Sequence, residues 1–130
     1  MNYLGIDWGE KRIGLALADG ETKIATPFKV VSNVDEVIRT IDEEEIDLVV
    51  LGKPISKNNY DPPASGEITN EKYNRFVKDL KAKIKIPLGL VDERLSSKAA
   101  DALVGNKKTK ASRDTIAAMI ILQSYLDRKI

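Results

Sequence analysis

The sequence contains no cysteine and no histidine. Without cysteine the chain cannot form disulfides or zinc–thiolate sites, which is typical of a cytoplasmic protein, the location that we expect. Without histidine the common Ser-His and Cys-His catalytic pairs are excluded, so any acid–base chemistry must use carboxylates, lysine, tyrosine or a metal ion. No apolar run is long enough to span a membrane, and the first strand begins too early to leave room for a signal peptide.

The charge of the chain is small in total but unevenly distributed. A length of 130 residues predicts one domain over residues 1–130, with a net charge of only +1. Residues 33–47 nevertheless hold seven acids and one base, whereas residues 71–113 hold twelve bases and five acids. These blocks can be solvated helix faces, or the basic half can bind nucleic acid.

Residues 3–19 predict two strands joined by a tight turn at Trp8-Gly9-Glu10. Apolar residues alternate with small or polar ones on both sides of the turn, which is the period of a β-strand. Asp7 therefore lies at the carboxyl end of a mostly apolar first strand. Small residues that would let another backbone approach one face of this hairpin are Gly5, Gly14 and Ala16.

The rest of the chain predicts a third strand over 21–31 and then alternating helices and strands. Pro27 indicates an edge strand or a bulge. Helices are predicted from the cap Asn33 and over 73–84, strands over 46–51 and 88–91, and a last helix from the cap Ser112 to about Arg128. A short helix is predicted to end at Val104. The predicted fold is α/β: a five-stranded mixed sheet, made of a three-stranded antiparallel meander plus parallel strands, with helices on both faces.

Acidic residues from separate segments are predicted to meet at one edge of this sheet. Asp7 and the pair Asp92-Glu93 follow parallel strands, whose carboxyl ends share an edge. Asp114 lies in the first turn of the last helix, which two following alanines allow to approach the sheet. Each acid also has a structural explanation, as a turn residue, an ion-pair partner or a helix-terminus acid. Together they predict a site for Mg²⁺ or Mn²⁺, and two such ions about 3.5–4 Å apart can clamp a phosphodiester.

Four segments of the chain resemble the YqgF family, which consists of small bacterial proteins with a ribonuclease H-like fold related to RuvC-type Holliday junction resolvases. The segments are Gly5-Ile-Asp-Trp-Gly-Glu-Lys-Arg-Ile-Gly14, Val50-Leu-Gly-Lys-Pro54, Asp92-Glu-Arg-Leu-Ser96 and Asp114-Thr-Ile-Ala-Ala-Met-Ile-Ile-Leu-Gln123. The resemblance implies a metal-dependent nuclease with a two-metal-ion mechanism, whose catalytic acids and metal ligands are Asp7, Glu93 and Asp114. Asp92 remains an alternative ligand beside Glu93.

The resemblance also implies a cofactor and partners. The cofactor is Mg²⁺ or Mn²⁺, and the partner is nucleic acid: either an rRNA precursor, trimmed at the 5′ end of pre-16S rRNA, or branched DNA cut as a Holliday junction. A resolvase needs a two-fold dimer to cut symmetrically, whereas an RNA-trimming nuclease can act as a monomer, so monomer and homodimer both remain open. The residues expected to bind phosphate are Lys11, Arg12, Arg94, Lys107, Lys108 and Lys110.

Other interpretations remain. The first motif is also similar to a phosphate loop of the actin and sugar-kinase superfamily, but that fold needs two such domains and this chain is too short for both. A nucleic-acid-binding module that has lost catalysis is the third class. Residues 55–67 form a longer loop than the family usually has, which leaves its substrate contacts open. Trp8 can stack on a base or pack internally, and we favour packing.

Overall fold

The structure is a computed structural model that describes residues 1–53, 71–92 and 113–128. This part of the chain contains strands β1 (Asn2–Asp7), β2 (Ile13–Asp19), β3 (Ala25–Val31), β4 (Leu48–Lys53) and β5 (Leu88–Asp92). It also contains helices α1 (Val34–Glu43), α2 (Glu71–Lys83) and α3 (Arg113–Arg128). None of these helices combines the length and the apolar composition needed to cross a bilayer. The predicted loop over 55–67 and the helix predicted to end at Val104 lie outside the described residues.

The five strands form one mixed sheet in the order β3-β2-β1-β4-β5. β2 pairs antiparallel with both β1 and β3. β4 lies between β1 and β5 and pairs parallel with both. Both halves of the predicted topology are confirmed. The carboxyl ends of the three parallel strands consequently lie at the same edge of the sheet.

Helices cover both faces of the sheet, as the sequence predicted. One face carries α3, whose Ala118, Ile121 and Leu122 pack on a cluster that includes Ala16 and Val50. The opposite face carries α1 and α2 over a larger apolar cluster, which includes the strand residues Leu4, Ile6, Leu15, Val49 and Leu51. Because alternate residues of a strand point to opposite faces, odd-numbered residues of β1 face α3.

The start of α1 agrees with the sequence. Asn33 is the N-cap, and its Oδ1 accepts a hydrogen bond of 3.0 Å from the N–H of Glu36. Glu36 in turn accepts at Oε2 from the N–H of Ser32, at 2.7 Å. The bond to Asn33 satisfies one of the backbone donors that the first helical turn leaves without partners.

The predicted third strand begins too early, because residues 21–24 form a turn. Asp19 closes this turn: its Oδ1 accepts from the N–H of Glu21 at 2.9 Å, and its carbonyl accepts from Lys23 at 2.8 Å. Gln123 of α3 then fixes the exit, donating from Nε2 to the carbonyl of Lys23 and accepting at Oε1 from the N–H of Ala25, both at 2.9 Å. β3 therefore starts at Ala25.

The prediction for Pro27 is confirmed. β3 is an edge strand of the sheet. Its pairing with β2 shifts register between Leu15 and Ala16, and Ala16 pairs with Pro27. A proline without an N–H is tolerated there, since an edge strand or an irregular pair does not require every ladder hydrogen bond.

The predicted fourth strand also began too early, because residues 44–47 are used to end α1. The N–H of Ile46 donates to the carbonyl of Ile41 at 3.0 Å, and the N–H of Glu45 donates to Asp42 at 3.3 Å. This is the hydrogen-bond pattern of a Schellman motif, which places its C′ residue in the left-handed region. Glu45 holds that position with a φ of 51°, although glycine is the residue that adopts it without strain.

The substitution Glu45→Gly should stabilise the protein. Glycine removes the steric cost of the left-handed conformation, so we expect the free energy of unfolding to rise by about 1 kcal/mol. Chemical denaturation measures the change. Glu44→Gly is the matched control: Glu44 has a φ of −93°, so glycine there should only lower stability. A Glu45→Gly protein less stable than the parent would contradict this account of the helix end.

Candidate active site

Asp7 is the last residue of β1 and lies half-buried at the carboxyl edge of the parallel strands. Its register partner on β2 is Gly14, and residues paired across an antiparallel ladder share a face of the sheet. Gly5, two residues earlier, contacts α3, since a Cβ there would lie 2.7 Å from Cβ of Leu122. Asp7 is therefore on the α3 face.

Gly14 brings the start of α3 against the sheet. A Cβ on Gly14 would overlap the backbone carbonyl of Asp114 and lie 2.9 Å from Cβ of Asp114. Further along the helix, a Cβ on Gly5 would lie 2.8 Å from the carbonyl oxygen of Ala118. The close approach of α3 thus depends on glycines in the sheet as well as on the fully buried Ala118.

These contacts bring Asp7 and Asp114 together. Side chains that face each other across an antiparallel ladder have Cβ atoms about 5 Å apart, so the Cβ atoms of Asp7 and Asp114 are separated by at most about 8 Å. Two carboxylates can span such a gap around a divalent ion with metal–oxygen bonds of about 2.1 Å. Both residues are half-buried, so they remain accessible to an ion or a substrate.

Arg12 makes an ion pair with Asp114. Its Nε is 3.4 Å from Oδ2 of Asp114, and the side chains are 74% and 26% exposed respectively. The backbone of Arg12 is set by the turn, because a Cβ on Gly9 would lie 2.6 Å from the carbonyl oxygen of Arg12. Lys11 is exposed and directly precedes Arg12 in this turn.

The other predicted site residues are only partly within the described chain. Asp92 ends β5 in register with Lys53, two strands away from β1, or about 10 Å in the plane of the sheet. No group of three acids that could hold a metal ion occurs among residues 1–53, 71–92 and 113–128. The predicted residues that lie outside these ranges are Glu93, Arg94, Lys107, Lys108 and Lys110.

Aromatic residues support the site from the opposite face. Trp8 directly follows Asp7 and packs edge-on against Tyr73 of α2 with ring centroids 5.6 Å apart, and at 6.4 Å from Phe76. The hydroxyl of Tyr73 donates to the carbonyl of Gly52 at 3.3 Å, near the end of β4. Trp8 therefore packs against α2, as we expected. The sequence marked Tyr73 only as part of an apolar stripe, but a buried tyrosine hydroxyl usually has a partner.

Solved structures define the class to which this architecture belongs. T. thermophilus RuvC in complex with a Holliday junction substrate matches 99% of this chain and 96% of its own, with a TM-score of 0.66 and 14% identity. The fowlpox virus resolvase, in complex with its substrate Holliday junction DNA, matches 100% of this chain and 99% of its own, with a TM-score of 0.59 and 16% identity. The fold is that of RuvC-like proteins, a ribonuclease H-like fold.

The family can be stated more narrowly. The RuvX family, described as "Holliday junction resolvase", matches residues 1–128. A relative from Maridesulfovibrio salexigens is 34% identical over 98% of this chain and 99% of its own length, and one from Geobacillus sp. is 36% identical over 99% of both. Both bear the name "Putative pre-16S rRNA nuclease". This chain belongs to the RuvX (YqgF) family, which confirms the resemblance found in the sequence.

Replacing Gly14 by alanine should displace the first turn of α3. Because the added Cβ would meet backbone rather than a flexible side chain, we expect a loss of about 1–3 kcal/mol in the free energy of unfolding. Thermal unfolding measures the loss. In the control Gly89→Ala, the new Cβ would lie 3.1 Å from a ring carbon of Tyr125, which can give way, so stability should change by less than about 1 kcal/mol. Equal effects of the two substitutions would contradict a specific contact at Gly14.

Replacing Trp8 by alanine should destabilise the fold. Truncating a buried tryptophan costs about 3–5 kcal/mol, and for the half-buried Trp8 we expect about 2–3 kcal/mol. Chemical denaturation tests this, with Phe28→Ala, an aromatic truncation at a 39% exposed position, as the milder control. Trp8 is the only tryptophan, so its fluorescence gives a second readout. Strong quenching on addition of nucleic acid, together with an unchanged stability of Trp8→Ala, would favour base stacking instead.

Proposed function

We propose that this protein is a divalent-metal-dependent endonuclease that hydrolyses phosphodiester bonds in nucleic acid. The observation that carries the proposal is the placement of Asp7 and Asp114 on one face of the sheet, joined through the contact between Gly14 and α3. Membership of the RuvX family and the nuclease names of the relatives support the same reaction class.

The proposed ligands are Asp7, Asp114 and Glu93. Glu93 is proposed as the third acid because it matches the family motif Asp92-Glu-Arg-Leu-Ser96, and Asp92 is the alternative. The donor set consists entirely of carboxylates, which suits Mg²⁺ or Mn²⁺. A pair of these ions would stabilise the negative charge that develops on the scissile phosphate.

The basic residues are proposed to bind the nucleic-acid backbone. Arg12 lies beside Asp114, and Lys11 directly precedes it in the same turn. The planar guanidinium of Arg12 can bind a phosphate through two hydrogen bonds. Arg94 follows the proposed ligand Glu93 directly in the sequence. Lys107, Lys108 and Lys110 would add contacts that depend on salt rather than on base sequence.

The names of the relatives favour an rRNA precursor as substrate. We propose that cleavage takes place at the 5′ end of pre-16S rRNA, in the cytoplasm. A second candidate is resolution of a Holliday junction in DNA, which is favoured by the description of the family and by the structural similarity to RuvC bound to such a junction. The two substrates make different demands, because symmetrical cleavage of a junction requires a two-fold dimer.

Cleavage should require both the metal and Asp7. We expect Asp7→Asn to lower the rate about a thousandfold, equivalent to about 4 kcal/mol of transition-state stabilisation, and excess EDTA to abolish cleavage. The assay follows matched substrates in Mn²⁺: an RNA that spans the 5′ end of 16S rRNA, and a four-way DNA junction. Asp42→Asn, at an exposed position of α1 on the opposite face, is the control and should cleave at the parent rate.

The substrates separate the two candidates. Cleavage of the RNA alone supports rRNA processing, and symmetrical cleavage of the junction by a dimer supports the resolvase. Undiminished cleavage in EDTA would contradict the metal dependence. Tight binding of either substrate without cleavage in Mg²⁺ or Mn²⁺ would contradict the nuclease and identify a binding module.

A further inference from the structure

Arg12 and Asp114 form an ion pair, although the proposed function assigns them different ligands. Its Nε is 3.4 Å from Oδ2 of Asp114, although Asp114 is a proposed metal ligand and Arg12 a proposed phosphate ligand. A guanidinium beside a carboxylate weakens the attraction of that carboxylate for a second cation, because the two cations repel each other. The free protein therefore has a cation in contact with an acid that is needed for metal binding.

We propose that Arg12 couples the binding of nucleic acid to the binding of the divalent metal, an inference that rests on the proposed function. In the free protein Arg12 pairs with Asp114 and lowers the affinity of the site for the metal. When nucleic acid binds, a backbone phosphate takes the guanidinium from Asp114, and the carboxylate becomes fully available to the metal. Metal and substrate consequently bind cooperatively, and each raises the affinity for the other by the same factor.

The surroundings of Arg12 allow this exchange. Its side chain is 74% exposed and approaches Asp114 through Nε at 3.4 Å, and exposed pairs of this kind are weak. Its backbone is fixed on both sides: its carbonyl oxygen packs closely against Gly9, and the next residue, Ile13, is buried and begins β2. The guanidinium can therefore leave Asp114 without moving the hairpin that carries Asp7.

Asp114 cannot follow Arg12 toward the substrate. Its backbone lies in the first turn of α3, in contact with Gly14, and its side chain is only 26% exposed. A backbone phosphate offers the guanidinium two non-bridging oxygens that share its negative charge, and so a bidentate partner in place of one carboxylate oxygen. The arrangement consequently predicts an exchange of partners by Arg12, with Asp114 left in place for the metal.

The test measures Mn²⁺ binding by calorimetry, without any need for turnover. In the absence of nucleic acid, Arg12→Gln should bind Mn²⁺ about two- to fivefold more tightly than the parent, the range expected for an exposed ion pair. A phosphorothioate version of the RNA or junction substrate, which resists cleavage, should tighten Mn²⁺ binding by the parent. The same ligand should tighten Mn²⁺ binding by Arg12→Gln less than binding by the parent, because the competing pair is already absent.

Lys72→Gln is the matched control. Lys72 pairs with Glu10 on the same turn at 3.7 Å and is similarly exposed at 73%, so its loss removes an equal charge without releasing Asp114. The control should keep both the parent affinity and the parent coupling. Thermal unfolding verifies that all variants are folded.

The outcomes separate this inference from the proposed function. Equal Mn²⁺ affinities of the parent and Arg12→Gln, or an equal gain in Arg12→Gln and Lys72→Gln, would overturn the coupling through Arg12 and leave the metal site standing. Failure of the folded parent to bind Mn²⁺ at all, with or without nucleic acid, would overturn the metal site and with it the proposed function.

Discussion

The contact between Gly14 and the first turn of α3 is the constraint on which the candidate site depends. Any side chain at position 14 would overlap the backbone of Asp114, so a glycine there lets the helix approach the sheet. The pairing of Gly14 with Asp7 then places the two acids on one face. If a side chain at position 14 displaced α3 from the sheet, the carboxylates of Asp7 and Asp114 would move apart. Metal sites require their ligands to be held close to the productive geometry.

The two faces of the sheet have separate tasks in this account. Under α1 and α2 lies the larger apolar cluster, and there Trp8 and Tyr73 fix the ends of β1 and β4 by ring packing and a hydrogen bond to Gly52. The α3 face presents the acids, with Arg12 next to them. Rigid support behind the strand ends and charged groups in front of them is an arrangement that keeps ligands in place before the metal or the substrate arrives.

Much of this organisation was readable from the sequence, because it depends on local patterns. Period-two alternation placed Asp7 at a strand end, the glycines of the hairpin indicated a close neighbour, and Pro27 indicated the edge strand. The features that the sequence did not reveal depend on tertiary contacts. The pair of Arg12 with Asp114 joins residues 102 positions apart. Gln123, which belongs to α3, binds the turn before β3 and so delays the start of that strand. The hydrogen bonds that end α1 involve residues that we predicted to begin β4.

The most direct measurement is anomalous diffraction from crystals of the protein soaked in Mn²⁺. The account predicts an anomalous peak at coordination distance, about 2.0–2.2 Å, from carboxylate oxygens of both Asp7 and Asp114, and loss of that peak in Asp7→Asn. A protein that cleaves nucleic acid in Mn²⁺ but shows its anomalous peak elsewhere, with neither carboxylate as a ligand, would contradict the claim that these two acids form the metal site.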